Sequence, residues 1–333
     1  MNMKKFLVNC YSAMIWNREK RRAVRQVFFP ITTQPEPKPE PEPEPEPKPI
    51  PQKNILSEPE VVNFVTEMIR RVTPMCRLRN FEVHITEHCN LNCRGCNHFS
   101  PLAEKQFLSL DTFEKDFQRM ASLTNSEVEF INLLGGEPLL HPELLSFFPI
   151  ARKLFPNTRI QLVTNGILLQ KQTEDFWQAC ETHKITICIT NYPIEINRCF
   201  VEEKARMHCI DIIYWDAHEE RKLSWFFPFD LSGKKDSQIN FIKCHAANHC
   251  IFLREGKLFT CVIPPNVLHF NKFFNQNIEV CEKDFIDIYK AHSIDDVLSF
   301  LAKPIPFCRF CNVENRKYDL VWKTSSRCIE EWV

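Results

Sequence analysis

The 333 residues carry 42 basic and 42 acidic side chains, so the overall charge gives no support to wholesale nucleic-acid binding. A 44% hydrophobic share with 28 Phe suffices for one large or two modest domains, and no apolar run approaches the ~20 residues of a membrane span. The outlying feature is 16 Cys in a chain that needs no disulfide staples and whose start, MNMKKFLVNCYSAMIW, is interrupted as an export signal by Asn9, Cys10 and Ser12. These facts place the thiols reduced in a cytoplasm, where clustered cysteine points to metal.

Residues 1–33 form a basic aromatic segment, with Lys4, Lys5, Arg18, Lys20, Arg21, Arg22 and Arg25 interleaved with Phe6, Trp16, Phe28 and Phe29. Such a segment suits an anionic membrane surface, here the inner face, or a protein contact, and equally a solvated helix or arm. Over 34–52, proline stands at every second position from Pro35 to Pro51. Without amide donors this stretch neither pairs nor continues a helix, and it reads as a polyproline II linker of roughly 50 Å at ~3.1 Å per residue.

Residues 53–224 read as one α/β unit. Ser57 followed by Glu60 caps a first helix, and strands at 81–86, 128–134, 159–164, 184–190 and 210–215 alternate with helices after Ser109 and over about 142–154, 173–182 and 195–207. That alternation predicts βαβ units in a parallel sheet, with a site at the carboxyl ends of the strands. From 225 to 333 the pattern changes to a smaller α+β module, with a helix over 237–244 and a hairpin turning at Glu255-Gly256.

Three of the strand ends carry chemistry. After the first strand, Cys89, Cys93 and Cys96 are spaced CxxxCxxC in HITEHCNLNCRGCNHFSP. Three thiolates leave a fourth corner of an iron–sulfur cluster open, whereas a structural zinc needs a fourth ligand, for which His88 or His98 would serve. After the second strand comes LLGGEP, with Gly135, Gly136 and Glu137: glycines permit close backbone approach, and the carboxylate suits an ammonium group. After the third, LVTNG places Asn165 at the same edge.

In this order and on these strand ends, the residues from Phe81 to Trp215 resemble the radical S-adenosylmethionine (SAM) superfamily. The resemblance implies a partial (β/α)6 TIM-like barrel and a [4Fe-4S] cluster held by Cys89, Cys93 and Cys96, whose open iron takes the amino and carboxylate groups of SAM. Gly135, Gly136 and Glu137 would face SAM, with Asn165, and more remotely Asn191 or Tyr192, in the same pocket. It also implies a flavodoxin- or ferredoxin-type electron donor. One departure is Gly95, where the family has an aromatic residue near the adenine; Phe99 would take that place.

In the second module, Cys244 and Cys261 bracket the hairpin, and Cys308 and Cys311 form a CxxC. Four such thiols close around one cluster or one zinc, and Cys250 is an alternative to Cys244. The spacing resembles the twitch form of the SPASM extension, implying a second, auxiliary [4Fe-4S] cluster. Cys76, Cys180, Cys199, Cys209, Cys281 and Cys328 read as ordinary free thiols. Candidate catalytic groups are His98, which with His88 flanks the cluster loop, and Cys188, a hydrogen-atom donor if it faces the barrel lumen.

The resulting reading is an oxidoreductase that abstracts a hydrogen atom from a substrate C–H bond. The phrases CNHFSPLAE, LLGGEPLLHPEL and KPIPFCRFCN resemble a subgroup found in surface-polysaccharide settings, which implies a small-molecule substrate such as a sugar, nucleotide-sugar or polyol. The rivals are a maturase acting on a peptide or protein and a non-catalytic zinc module.

Overall fold

The computed structural model describes residues 72–215, 223–244 and 246–333. The basic segment, the proline linker and the helix expected after Ser57 lie outside the described residues.

Strands β1 (Asn80–Thr86), β2 (Phe130–Gly135), β3 (Arg159–Thr164), β4 (Ile185–Thr190) and β5 (Ile212–Trp215) alternate with helices α1 (Leu110–Thr124), α2 (Leu144–Leu154), α3 (Glu174–Thr182) and α4 (Arg198–Met207). Local sequence explains the first helix. The Ser109 side chain accepts from Thr112 N at 3.2 Å, Phe113, Phe117 and Met120 are buried on one side, and Asn125 ends the helix in the left-handed conformation at φ 52°. The five strands lie side by side in chain order, and each neighbouring pair is parallel.

The carboxyl-terminal part then completes this sheet. Helix α5 (Ser237–Lys243) leads to the hairpin of β7 (Phe252–Arg254) and β8 (Lys257–Phe259), with β7 joining the free side of β1 in parallel. Strand β9 (Ile286–Asp287) pairs with β8, giving eight strands in the order β5-β4-β3-β2-β1-β7-β8-β9. Six parallel strands are therefore present, as the barrel resemblance implies, but the sixth is β7 beside β1. The strand that follows β5 in the chain, β6 (Leu223–Phe226), instead pairs antiparallel with β10 (Lys317–Val321) in a separate two-stranded sheet. All seven residues of β1 are buried, as befits a strand flanked on both sides.

Helices α6 (Ile263–Phe274) and α7 (Ile294–Leu301) are absent from the elements that the sequence pattern picks out. Pro264 and Pro265 stand in the first turn of α6, where the missing amides cost nothing because first-turn donors have no intrahelical partner. No helix among the described residues is long and apolar enough to cross a membrane.

Alternation along the strands separates two environments. Phe81, Val83, Ile85, Ile131, Leu133, Ile160, Leu162, Ile185, Ile187 and Ile189 share one hydrophobic core with α1, α2 and α3. The intervening residues face the other way, and a buried polar row crosses the sheet in register: Glu82 opposite Asn132, Asn132 opposite Gln161, Gln161 opposite Thr186. Asn132 Nδ2 donates to Glu82 Oε1 at 2.8 Å.

Burial pushes the Glu82 carboxyl up to about 7, against the Asn132 hydrogen bond, which lowers it. The folded chain holds this proton where the unfolded chain has lost it, so stability falls as pH rises between the two values. The expected loss from this group is about 3 kcal/mol between pH 4 and pH 8. Denaturant unfolding across that range should show a shallower slope for Glu82→Gln; an identical slope would contradict the assignment.

Candidate active site

The loop bearing Cys89, Cys93 and Cys96 leaves the carboxyl end of β1 and is tied at both ends, with Glu87 N donating to Gln106 O at 3.1 Å and Leu108 N to Ile85 O at 3.0 Å. The three thiols lie within electrostatic reach of one another, and burial pushes all of them up, Cys93 to about 12. Backbone amides gather on two of the sulfurs: Leu91 N at 3.3 Å from Cys89 Sγ, and those of His98, Phe99 and Ser100 on Cys96. Such amides suit an anionic sulfur, so the loop is prepared for thiolates that a metal centre would keep deprotonated.

No group of three or more His, Cys, Asp or Glu side chains among the described residues is arranged around a single metal-ion position. His98, offered above as a fourth ligand, is engaged elsewhere. Its Nδ1 lies 2.7 Å from His84 Nε2, its ring also hydrogen-bonds the Gly135 carbonyl, and burial pushes it down to about 3, leaving the imidazole neutral. The His88 ring packs edge-on against Phe107.

The glycine pair serves the loop itself. A β-carbon on Gly135 would overlap the Thr86 carbonyl oxygen, and one on Gly136 the His88 carbonyl oxygen. Only bare backbone lets Gly136 N reach Thr86 O at 2.8 Å and Glu137 N reach His88 O at 3.0 Å. Glu137, expected to meet a ligand's ammonium, has partners within the chain. The group is fully buried and already accepts from Leu139 N at 3.0 Å, Thr164 Oγ1 at 2.7 Å and Asn165 N at 2.9 Å, so it fixes the ends of β2 and β3 together.

Asn165 does come to the cysteine loop: its Nδ2 donates to Asn90 Oδ1 at 2.8 Å and lies 3.7 Å from Cys89 Sγ. Tyr192, after β4, lies within reach of all three thiols and hydrogen-bonds Cys93, whereas Asn191 is held by the Arg198 guanidinium. Gly95 has φ 65°, a left-handed backbone that an aromatic residue would strain to adopt. Phe99 does not replace that aromatic. Only 1% exposed, it stacks on Phe229 with centroids 5.7 Å apart, inside a core shared with Phe270 and Trp332, and has no face left for adenine. Cys188 is fully buried on the sheet face opposite the helices, and burial pushes its thiol up to about 12.

Two groups of residues at this loop carry no sequence signal. Glu87 is a buried node, with its Oε2 2.8 Å from His269 Nε2 on α6 and 3.3 Å from His84 Nδ1, and its Oε1 3.2 Å from Arg254 Nη2 on β7. Burial works against its charge, but these neighbours hold it well below the usual carboxylate range. A carboxyl-terminal strap crosses the loop as well. Arg94 N donates to Lys323 O at 2.9 Å, Ser325 N to Asn92 O at 2.8 Å and Trp332 Nε1 to Cys96 O at 3.0 Å, while Trp322 lies against Cys93. Trp322 and Trp332 are visible in the sequence, but not their target more than 200 residues away.

The second set of thiols also comes together. Cys244 follows α5, Cys261 follows β8, and Cys308 and Cys311 bound a turn whose carbonyls both accept from Asn240 Nδ2, at 2.8 and 2.6 Å. Cys308 is within electrostatic reach of Cys244, Cys261 and Cys311. Cys250 lies in reach of Cys244 and Cys261 and faces Glu82.

The site is thus an amide-lined, three-thiol loop at the carboxyl edge of a parallel α/β sheet. Residues 83–192 match the model of the Radical SAM superfamily, whose cofactors are a [4Fe-4S] cluster and SAM. Among curated relatives, it is 29% identical over 97 residues to the GTP 3',8-cyclase of Campylobacter lari (29% of this chain, 30% of that one). To that of Aquifex aeolicus it is 27% identical over 134 residues (39% and 41%). The matches thus span about three to four tenths of those relatives' length. Among solved structures it is similar to BtrN in complex with AdoMet and 2-DOIA, with 18% identity, a TM-score of 0.47 and coverage of 72% of this chain and 94% of that one.

The glycine contact gives a direct test. Gly136→Ala forces the β2 end and the cysteine loop apart, with an expected loss of about 1–3 kcal/mol in stability and reduced iron per chain after anaerobic reconstitution. Unchanged melting and iron content would show that the contact is dispensable.

Proposed function

We propose that this chain is a radical SAM oxidoreductase acting on a small polyhydroxylated molecule such as a sugar, nucleotide-sugar or polyol, with electrons from a flavodoxin or ferredoxin. Cys89, Cys93 and Cys96 would hold the SAM-binding [4Fe-4S] cluster, and Cys244, Cys261, Cys308 and Cys311 an auxiliary one. The observation that carries this reading is the convergence of the three thiols with the Gly135-Gly136 turn and Asn165 at the carboxyl ends of β1, β2 and β3.

When bound, the cluster and SAM supply a 5'-deoxyadenosyl radical that removes a hydrogen atom from an unactivated C–H bond. The chain's own residues do the rest. The amides on Cys89 and Cys96 stabilise thiolates, Asn165 and Tyr192 wall the loop, and the strap of residues 322–332 restricts water at Cys93. Support for a hydroxyl-rich substrate comes from the buried polar row on the face opposite the helices, where the Asn132 Oδ1 atom has no hydrogen-bond partner among the described residues. Cys188, weighed above as a hydrogen-atom donor, lies on that same face as a neutral thiol, but an oxidation that passes the substrate radical's electron to the auxiliary cluster needs no such donor; His98 is better read as support for the loop.

Anaerobically reconstituted protein should contain about eight iron and eight sulfide per chain and cleave SAM on reduction. The Cys89→Ala, Cys93→Ala, Cys96→Ala triple variant should lose cleavage and keep about half the iron. Deuterium transfer from labelled sugars into 5'-deoxyadenosine then identifies substrate and carbon. Stoichiometric zinc without SAM turnover sinks the proposal.

A further inference from the structure

The four thiols of the carboxyl-terminal set have a cation among them. Arg316 stands just before β10, and its Nη1 lies 3.2 Å from Cys244 Sγ. The same guanidinium hydrogen-bonds the Cys311 thiol and acts electrostatically on Cys261, in each case favouring the ionised sulfur. Its plane is fixed from behind, with the guanidinium carbon 4.6 Å from the centre of the Phe227 ring. Other cations nearby are differently placed: Lys235 and Lys243 pair at 3.8 and 3.7 Å with the exposed Glu314, a rim arrangement that solvent screens. Of these three, it is Arg316 that touches sulfur.

We infer that Arg316 is a positioning residue of the four-cysteine site that raises the reduction potential of the cluster held there. The inference rests on the proposed reading that these cysteines bind an iron–sulfur cluster. Reduction adds one negative charge to a cluster already ligated by thiolates. Donors aimed at the ligating sulfurs, and a permanent positive charge beside them, stabilise the reduced form more than the oxidised form. A guanidinium does both at once, since it stays charged and its fork reaches two sulfurs. The two sulfurs come from distant parts of the chain, so the same contact orients Cys244 and Cys311 toward one another. A site with its potential raised in this way is suited to accept an electron, which distinguishes substrate oxidation from a redox-neutral rearrangement.

The test uses the full-length chain in the Cys89→Ala, Cys93→Ala, Cys96→Ala background, where only the second site can load, and repeats the measurement in the native background by resolving the two EPR signals. Iron and sulfide are counted, and a redox titration followed by EPR gives the midpoint potential. Arg316→Gln should keep its iron and titrate at lower potential, and Arg316→Lys, which retains charge but loses the fork, should fall between Gln and the native residue. Full iron with an unchanged potential in Arg316→Gln overturns the inference. If Arg316→Gln fails to load, Arg316→Lys decides: a lowered potential supports the inference, and an unchanged one overturns it. Absence of iron from the second site before Arg316 is altered refutes the cluster reading itself, an outcome distinct from either potential.

Discussion

The candidate site depends first on how closely the end of β2 lies against the loop that leaves β1. Gly136 N and Glu137 N donate to carbonyls two residues apart in that loop, and no side chain fits between the two backbones. Once they are in contact, the buried Glu137 carboxylate extends the tie to Thr164 and Asn165, and Asn165 reaches back to Cys89. Three consecutive strand ends are thereby locked to one another by short hydrogen bonds, and the thiol positions follow from the sheet rather than from the loop's own preferences. A loop of polar residues and glycine has little intrinsic reason to adopt one conformation, so rigidity must be imported from the scaffold.

Glu87 supplies a second constraint of a different kind. It accepts from groups on β1, β7 and α6, so the cysteine loop is braced against the hairpin that carries Cys261 at its far end and the helix that follows it. A buried carboxylate with Arg254 and two imidazoles around it is stable only while those neighbours stay in place. The two thiol groups are consequently parts of one mechanical unit, in which the hairpin is a strand of the main sheet as well as a flank of the second set.

Much of the α/β core is legible in the sequence because its signals are local. Ser109 announces α1, and the alternation of Ile185, Ile187 and Ile189 with polar neighbours announces β4. The cysteine triplet and the glycine pair stand out by spacing alone. What escapes is nonlocal or has its meaning reversed by context. The hairpin of β7 and β8 is announced by its Glu255-Gly256 turn, but the pairing of β7 with β1 is set by tertiary packing across some 170 residues. Glu137 stands out as a carboxylate beside glycines, but nothing local shows that Thr164 and Asn165 at the end of the next strand donate to it. Gly95 looks like a missing aromatic, whereas its positive φ is a backbone requirement of the loop. Phe99, chosen to replace it, belongs to the aromatic core between loop and strap.

The strap sets an order of events in the life of the chain. Trp332 donates to the carbonyl of Cys96 across a separation of 236 residues, and residues 323 and 325 pair with 94 and 92. Contacts of such long range close last, since the loop entropy is repaid only after the intervening sheet exists. While the ribosome is still extending the chain, the first three cysteines have their strand and their glycine turn but stand uncovered on one side. Any metal delivered to these thiols would therefore have an early interval in which they are reachable, and arrival of residues 322–332 brings that interval to a close.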